Sequence, residues 1–163
     1  PKKVACKRQK RSRKNCKKAK SKPCLEMIIV WAALESMAAR LIIENATDEE
    51  IASLRKLFTT FKGKEMQGQI DEYSETNIQF HQAILKLSCC DLLWKTAENL
   101  FIHMRSIRAQ TISEDDRANR SIIDHLHIIE ALEARDANLA ERLVREHTLN
   151  LGAHIKKHVD YLD

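Results

Sequence analysis

Glycine and proline are nearly missing from this chain, with 3 Gly and 2 Pro in 163 residues. The long stretches between them are rich in Ala, Leu, Ile, Glu, Lys and Arg, which favours helix over strand. No run of about 18 or more apolar residues occurs, so no membrane-spanning helix is expected. The N-terminal segment also lacks the apolar stretch of a signal peptide. These absences point to a soluble, cytoplasmic protein with no membrane partner. CxxC spacing is missing too: Cys6, Cys16, Cys24, Cys89 and Cys90 are odd in number, and no histidine accompanies the first three. Neither a disulfide framework nor a zinc finger is indicated, and free thiols are expected.

Acid is absent from the first 23 residues, which hold 12 of the 28 Lys and Arg. The remainder therefore sets 16 basic residues against 23 acidic ones. A basic tail, residues 1–23, precedes an acidic helical domain, residues 24–163. The tail has almost nothing apolar to bury, so it is expected to be disordered or held by something outside the domain. Its charge would attract any polyanion in a salt-sensitive way, but no interleaved aromatics support base stacking. At 163 residues and 44% hydrophobic content, one domain with a real core is expected.

Apolar spacing divides the acidic part into six helices with short connections, an all-α, mainly antiparallel bundle. The first is expected over about 25–45, with Trp31, Leu34, Ala38 and Leu41 on one face. Thr47 and Glu50 have capping-box spacing, and Ile51, Leu54, Phe58 and Phe61 give the second helix its stripe, with Gly63 and Gly68 weakening its end. The third, about 70–88, carries Ile70, Tyr73, Asn77, His81 and Ile84 on one side. The fourth, about 92–111, presents Leu93, Ala97, Leu100, Met104 and Ile107. Ser113 and Asp116 lie at cap spacing before a fifth helix with the stripe Ile122, His125, Ile129 and Leu132. Asp136 can cap the sixth, which aligns Ala140, Leu143, His147, Leu151 and His154; Gly152 is a mild local weakness.

Asn77, His81, His125 and His147 thus fall on the apolar stripes of three different helices. A polar group withdrawn from water without a partner costs on the order of a few kcal/mol, so several aimed at one interior imply a shared partner. Asn77 and His81, four apart, offer two ligands from adjacent turns, and the other two come from facing helices. Three imidazoles and an amide oxygen suit a divalent ion such as zinc, nickel or manganese, with positions left for water or an organic ligand.

The segments VWAALESMAARL, TDEEIASL, NIQFHQAI, DHLHIIEAL and RDANLAERLVREH, in that order, resemble the FCD-type effector-binding domain of FadR-like regulators in the GntR family. The resemblance spans about residues 25–159. It implies a divalent metal on the matching positions Asn77, His81, His125 and His147, in an interior pocket that also takes a small effector. It further implies a homodimer, and operator DNA as a partner only through a winged-helix domain. Nothing before Leu25 has the length or periodicity of such a domain, so the chain is expected to be the sensor half. Asn77 stands where many relatives carry Asp, which leaves the ion's charge less neutralised and favours a small carboxylate as effector. Trp31 stands where many have an Arg that faces the effector, so charge recognition is expected to pass to Arg105 or Arg108, with His154 lining the pocket.

Each of these residues also has a plainer reading. A lone His on an apolar stripe is usually a hydrogen-bonded core residue, and it is the coincidence of the set that favours a metal. His127 is expected at the surface or behind a ligand, and His103 and His158 in solvent. Arg105 and Arg108 are equally consistent with surface salt bridges. Asp124 could orient a ligand His or simply be solvated. Cys89 and Cys90 sit in a turn between helices without evident redox purpose. No GxSxG, HExxH or Gly-rich phosphate loop appears, so no enzyme is expected. The alternatives are a metal-free helical interaction module, whose polar groups satisfy one another, and a metal-dependent hydrolase.

Overall fold

A computed structural model describes the backbone of residues 2–61, 69–112 and 117–157, with side chains from Lys22 onward. Within them the chain forms six α-helices: α1 (Lys2–Asn45), α2 (Asp48–Lys56), α3 (Ile70–Leu87), α4 (Asp91–Thr111), α5 (Arg117–Glu133) and α6 (Ala137–Lys157). A 3-10 turn, Thr59–Phe61, follows α2. Helix α1 packs along α6 and also meets α3 and α4, while α5 is covered by α6 and α2. The architecture is the expected all-α bundle.

Helix α1 differs most from expectation, because it is continuous from Lys2 rather than from about Leu25. Pro23 lies inside it, where its missing N–H leaves the carbonyl one turn earlier without an intrahelical partner. The buried face is also turned from the expected one. Ile28, Trp31, Glu35, Ala38, Ala39 and Ile42 are closed to solvent, whereas Leu34 and Leu41 are half-buried.

Short-range chemistry fixes the other boundaries. Thr47 Oγ1 accepts from Glu50 N at 3.2 Å and Thr47 N donates to the Glu50 carboxylate at 2.9 Å, completing the capping box of α2. Ile51, Leu54, Phe58 and Phe61 are all buried as the stripe requires, although the α-helix itself stops at Lys56. Asp136 caps α6 by accepting from Leu139 N at 3.0 Å. The proposed cap residues Ser113 and Asp116, and the glycines Gly63 and Gly68, lie outside the described residues.

Helix α6 buries Ala140, Val144, Thr148, Leu151 and Ile155, one step around from the expected stripe, which leaves His147 and His154 on its flank. Gly152 is a site of close approach: a Cβ there would lie 3.4 Å from Ile28 Cγ2 of α1. The thiols of Cys24, Cys89 and Cys90 are free, as expected; Cys6 and Cys16 lie outside the described side chains. No helix among the described residues is long and apolar enough to cross a membrane.

Candidate metal and effector site

The packing of α3, α5 and α6 brings His81, His125 and His147 together. One ring nitrogen from each lies within 4.8 Å of the others, a spacing that could hold a metal ion. The rings sit 4.6 to 5.3 Å apart, centroid to centroid. Asn77, one turn before His81, is 2% exposed. Phe58 and Phe80 wall the cluster against His125, at 5.1 and 4.4 Å.

Each imidazole is held from behind through Nδ1. His81 Nδ1 contacts the Glu35 carboxylate, His147 Nδ1 lies 3.0 Å from Asp124 Oδ2, and His125 Nδ1 lies 3.2 Å from the Tyr73 hydroxyl. A carboxylate can only accept, so His81 and His147 carry their proton on Nδ1 and leave Nε2 as a lone pair. Fixing the ring through Nδ1 while Nε2 faces a shared point is the arrangement metal-binding histidines use. His125 Nε2 and His147 Nε2 are 3.2 Å apart, close to the separation of two ligands on one ion with bonds of about 2.1 Å.

Two acceptors have no donor. His81 Nε2 and Asn77 Oδ1 are buried without a hydrogen-bond partner. A metal-free arrangement exists for the other rings, with Tyr73 donating to His125 Nδ1 and His125 Nε2 donating to His147 Nε2. It does nothing for His81 or Asn77, and a buried unsatisfied group costs about 1–3 kcal/mol. The donor set therefore fits a cation.

Burial, reinforced by Arg108 and by the neighbouring rings, holds His81 and His125 well below the ordinary imidazole range. Both are neutral, the form a ligand needs. Behind them Glu35 is fully buried. It accepts from Trp31 Nε1 at 2.9 Å and Thr148 Oγ1 at 2.8 Å, and lies 3.6 Å from Arg108 Nη2. Burial pushes its carboxyl up, opposed chiefly by Arg108. Burial lowers Arg108 to about 10, opposed by Glu35, so the guanidinium stays charged at neutral pH. Arg108 Nη2 is also 3.3 Å from His81 Nδ1, but that nitrogen already donates to Glu35, so the approach reflects the Arg108–Glu35 pair.

The remaining candidates divide. Arg108 is buried beside the cluster, stacked at 5.4 Å over Trp31, and Trp31 is fully buried and committed to Glu35. His154 lines an open cleft of about 450 Å³ between α5 and α6, whose wall includes His147 and Asp124. Arg105 stands apart, 56% exposed on α4 and paired with Glu75 at 3.3 Å. His127 and His103 face solvent, and His158 lies outside the described residues. Asp124 contacts His147 Nδ1 while its own side chain remains 41% exposed.

Glu35, Tyr73 and Thr148 were not singled out from sequence. A usable signal existed for Glu35: it lies four residues from Trp31, and an acid in the apolar turn of a helix needs a partner.

The family model of the FCD domain matches residues 26–150. The chain belongs to that family, the FCD domain of GntR-like transcription regulators that its segments resemble. It is 24% identical over 125 residues to the HTH-type transcriptional repressor RspR of Escherichia coli K12, covering 77% of this chain and 55% of that protein. The uncharacterized HTH-type transcriptional regulator YdfH of Shigella flexneri matches to the same extent. The chain thus spans about half the length of these relatives. Among solved structures, E. coli McbR/YncC shares the fold with a TM-score of 0.65 and 22% identity, over 82% of this chain and 67% of that one.

Proposed function

We propose that this domain senses a small carboxylate through a divalent cation, zinc, nickel or manganese, held by Asn77, His81, His125 and His147. The observation that carries the reading is the pair of buried acceptors, His81 Nε2 and Asn77 Oδ1, that no donor serves. The cation supplies a positively charged, ligand-accepting centre. All four protein ligands are neutral, and Arg108 offsets one of the two nearby carboxylates, so an anion is favoured in the open positions. His154 and the cleft beside His147 support access from the α5–α6 side. Arg108 and Trp31 act through Glu35, and Arg105 has no contact that supports an effector role.

In this reading effector binding shifts the packing of the helices in a cytoplasmic homodimer. Ile29, Val30 and Met37, exposed on α1 at 59%, 48% and 45%, support an interface there. The dimer would pass the shift to operator DNA through a DNA-binding domain outside this chain; the helix-turn-helix naming of the relatives supports this. That naming also favours a regulator over an enzyme. A histidine-bound cation can activate water, so metal-dependent turnover of esters or amides, lost on chelation, would replace the sensor reading. The basic run in residues 1–23 is proposed to lie outside the sensing unit.

The test is metal content with thermal unfolding. The purified chain should carry a divalent ion, and stripping should lower its melting temperature. A site saturated at a hundred times its dissociation constant contributes about 2.7 kcal/mol. His125→Ala with His147→Ala should abolish uptake. Equal metal content in wild type and double variant, or no shift on chelation, would favour the metal-free interaction module.

A further inference from the structure

We infer that His125 changes tautomer when a cation binds, and that Tyr73 and Ser121 are the positioning residues that allow it by reversing the direction of their hydrogen bonds. This rests on the reading that His81, His125 and His147 hold a divalent ion. The three rings are not supported alike. Carboxylates lie behind His81 and His147, and a carboxylate only accepts, so those rings keep Nδ1–H and a lone pair on Nε2 whether or not an ion is present. Behind His125 stands a hydroxyl instead, Tyr73 Oη at 3.2 Å from Nδ1, which can donate or accept.

In front, His125 Nε2 lies 3.2 Å from His147 Nε2. Because His147 Nε2 is a lone pair, that approach is a hydrogen bond only when His125 carries its proton on Nε2. The metal-free chain of donors therefore runs one way, from Tyr73 O–H to His125 Nδ1 and from His125 Nε2–H to His147. A cation needs the opposite tautomer, since Nε2 must then offer a lone pair. Turning the ring over does not supply it. A flipped ring puts carbons where Nδ1 and Nε2 now stand and loses both contacts, and His125 is closed to solvent against Phe58 and Phe80, at 5.1 and 4.4 Å between centroids.

The change is therefore one of protons. Nε2 gives its proton to water and Nδ1 takes one up, so the ring stays neutral. Nδ1–H then donates to Tyr73 Oη, and the Tyr73 proton needs a new acceptor. Ser121 provides it: it is buried on α5 one turn before His125 and hydrogen-bonds the Tyr73 hydroxyl. A helical serine can turn its own proton to the carbonyl of the preceding turn. The Tyr73 ring stays in place, fully buried with Phe61 edge-on at 5.4 Å, so both hydroxyls reverse by rotation alone.

Nitrogen-resolved NMR of the imidazoles, with zinc alone as the probe, reads the tautomer directly. His125 should carry its proton on Nε2 in the stripped protein and on Nδ1 in the zinc-loaded protein, while His81 and His147 keep Nδ1–H in both. Ser121→Ala is the second arm. In the metal-free chain Ser121 only donates, so the stripped variant should melt near wild type. In the loaded state the variant strands the buried Tyr73 proton, so zinc affinity should fall about tenfold. With one tautomer in both states the serine would be missed equally in both, and zinc affinity would not change. Zinc that binds with the same His125 nitrogen protonated before and after, or with unchanged affinity in Ser121→Ala, overturns the inference and leaves the metal site standing. Zinc that fails to bind the wild-type chain overturns the metal reading and this inference together.

Discussion

Glu35 of α1 and His81 of α3 meet in the middle of the bundle, carboxylate against Nδ1, each essentially closed to solvent. The contact does two jobs at once. It fixes the His81 tautomer so that Nε2 is a lone pair, and it gives Arg108 a counter-charge in a place where water cannot supply one.

Replacing Glu35 by Gln separates those jobs from simple packing, because shape is retained and charge is lost. Arg108 becomes a buried cation without its partner, a change that costs about 3–5 kcal/mol when one member of a buried pair is removed. Urea unfolding should show that loss in the metal-free protein. Metal affinity should fall about 10- to 100-fold, the usual effect of removing a group that orients a ligand. Retained affinity in a folded variant would mean that Glu35 does not position His81.

Acid should destabilise the metal-free domain in a defined direction. His81 and His125 are held below their ordinary value of 6.5 in the fold, so below that pH the unfolded chain binds more protons. Stability is then full above the unfolded value and falls as pH drops through it toward the lower folded values. The slope is about 1.4 kcal/mol per pH unit for each histidine. Protons also compete with the cation for the same nitrogens, so metal release follows the same direction. Urea midpoints in chelator that stay flat across this window would show that the rings accept charge in place.

Arg135 is a structural pin of a different kind. It adopts φ 55 at the end of α5, where Asp136 N and Arg135 N bond back to Ala131 O and Leu132 O at 3.0 Å each. Its guanidinium donates to Ile43 O and Ala46 O at 2.9 Å each, satisfying carbonyls at the end of α1, and also pairs with Asp48. Arg135→Gly relieves the left-handed backbone but loses these bonds; Arg135→Ala loses the bonds and keeps the strain. Both should be destabilised, with Ala lower than Gly by about 1 kcal/mol. Equal stabilities would place no strain at this residue.

The caps at Thr47 and Asp136 and the stripes of α2, α3 and α5 could be read from sequence because each depends on residues three or four apart. The polar ligand candidates could be read for the same reason: Asn77, His81 and His125 break apolar stripes that are otherwise regular. For Glu35 the spacing from Trp31 was the one local signal, because its other partners, His81, Arg108 and Thr148, are 46, 73 and 113 residues away. Without them, an acid beside Leu34 looks solvated. Helix α6 packs along the face of α1 that buries it, and supplies the Thr148 hydroxyl that donates to it. Arg108 was legible as a candidate, but its pairing with Glu35 was not, since local spacing gives no account of a charge partner on another helix.

Asn77 gives the sharpest test of the cation, because restoring a carboxylate there has opposite effects in its presence and absence. The side chain is 2% exposed and its Oδ1 has no donor. In the metal-free protein Asn77→Asp buries a charge with nothing to compensate it, and the fold should lose stability, more at neutral than at acidic pH where the new group is protonated. With a divalent ion bound, the same carboxylate becomes a charged ligand, and metal affinity should rise about tenfold or more. The gain in positive charge that attracts an anion is then partly cancelled, so carboxylate binding to the loaded protein should weaken. Thermal unfolding with and without zinc reads the first two effects directly. A variant destabilised equally in both conditions would mean that residue 77 never touches the ion.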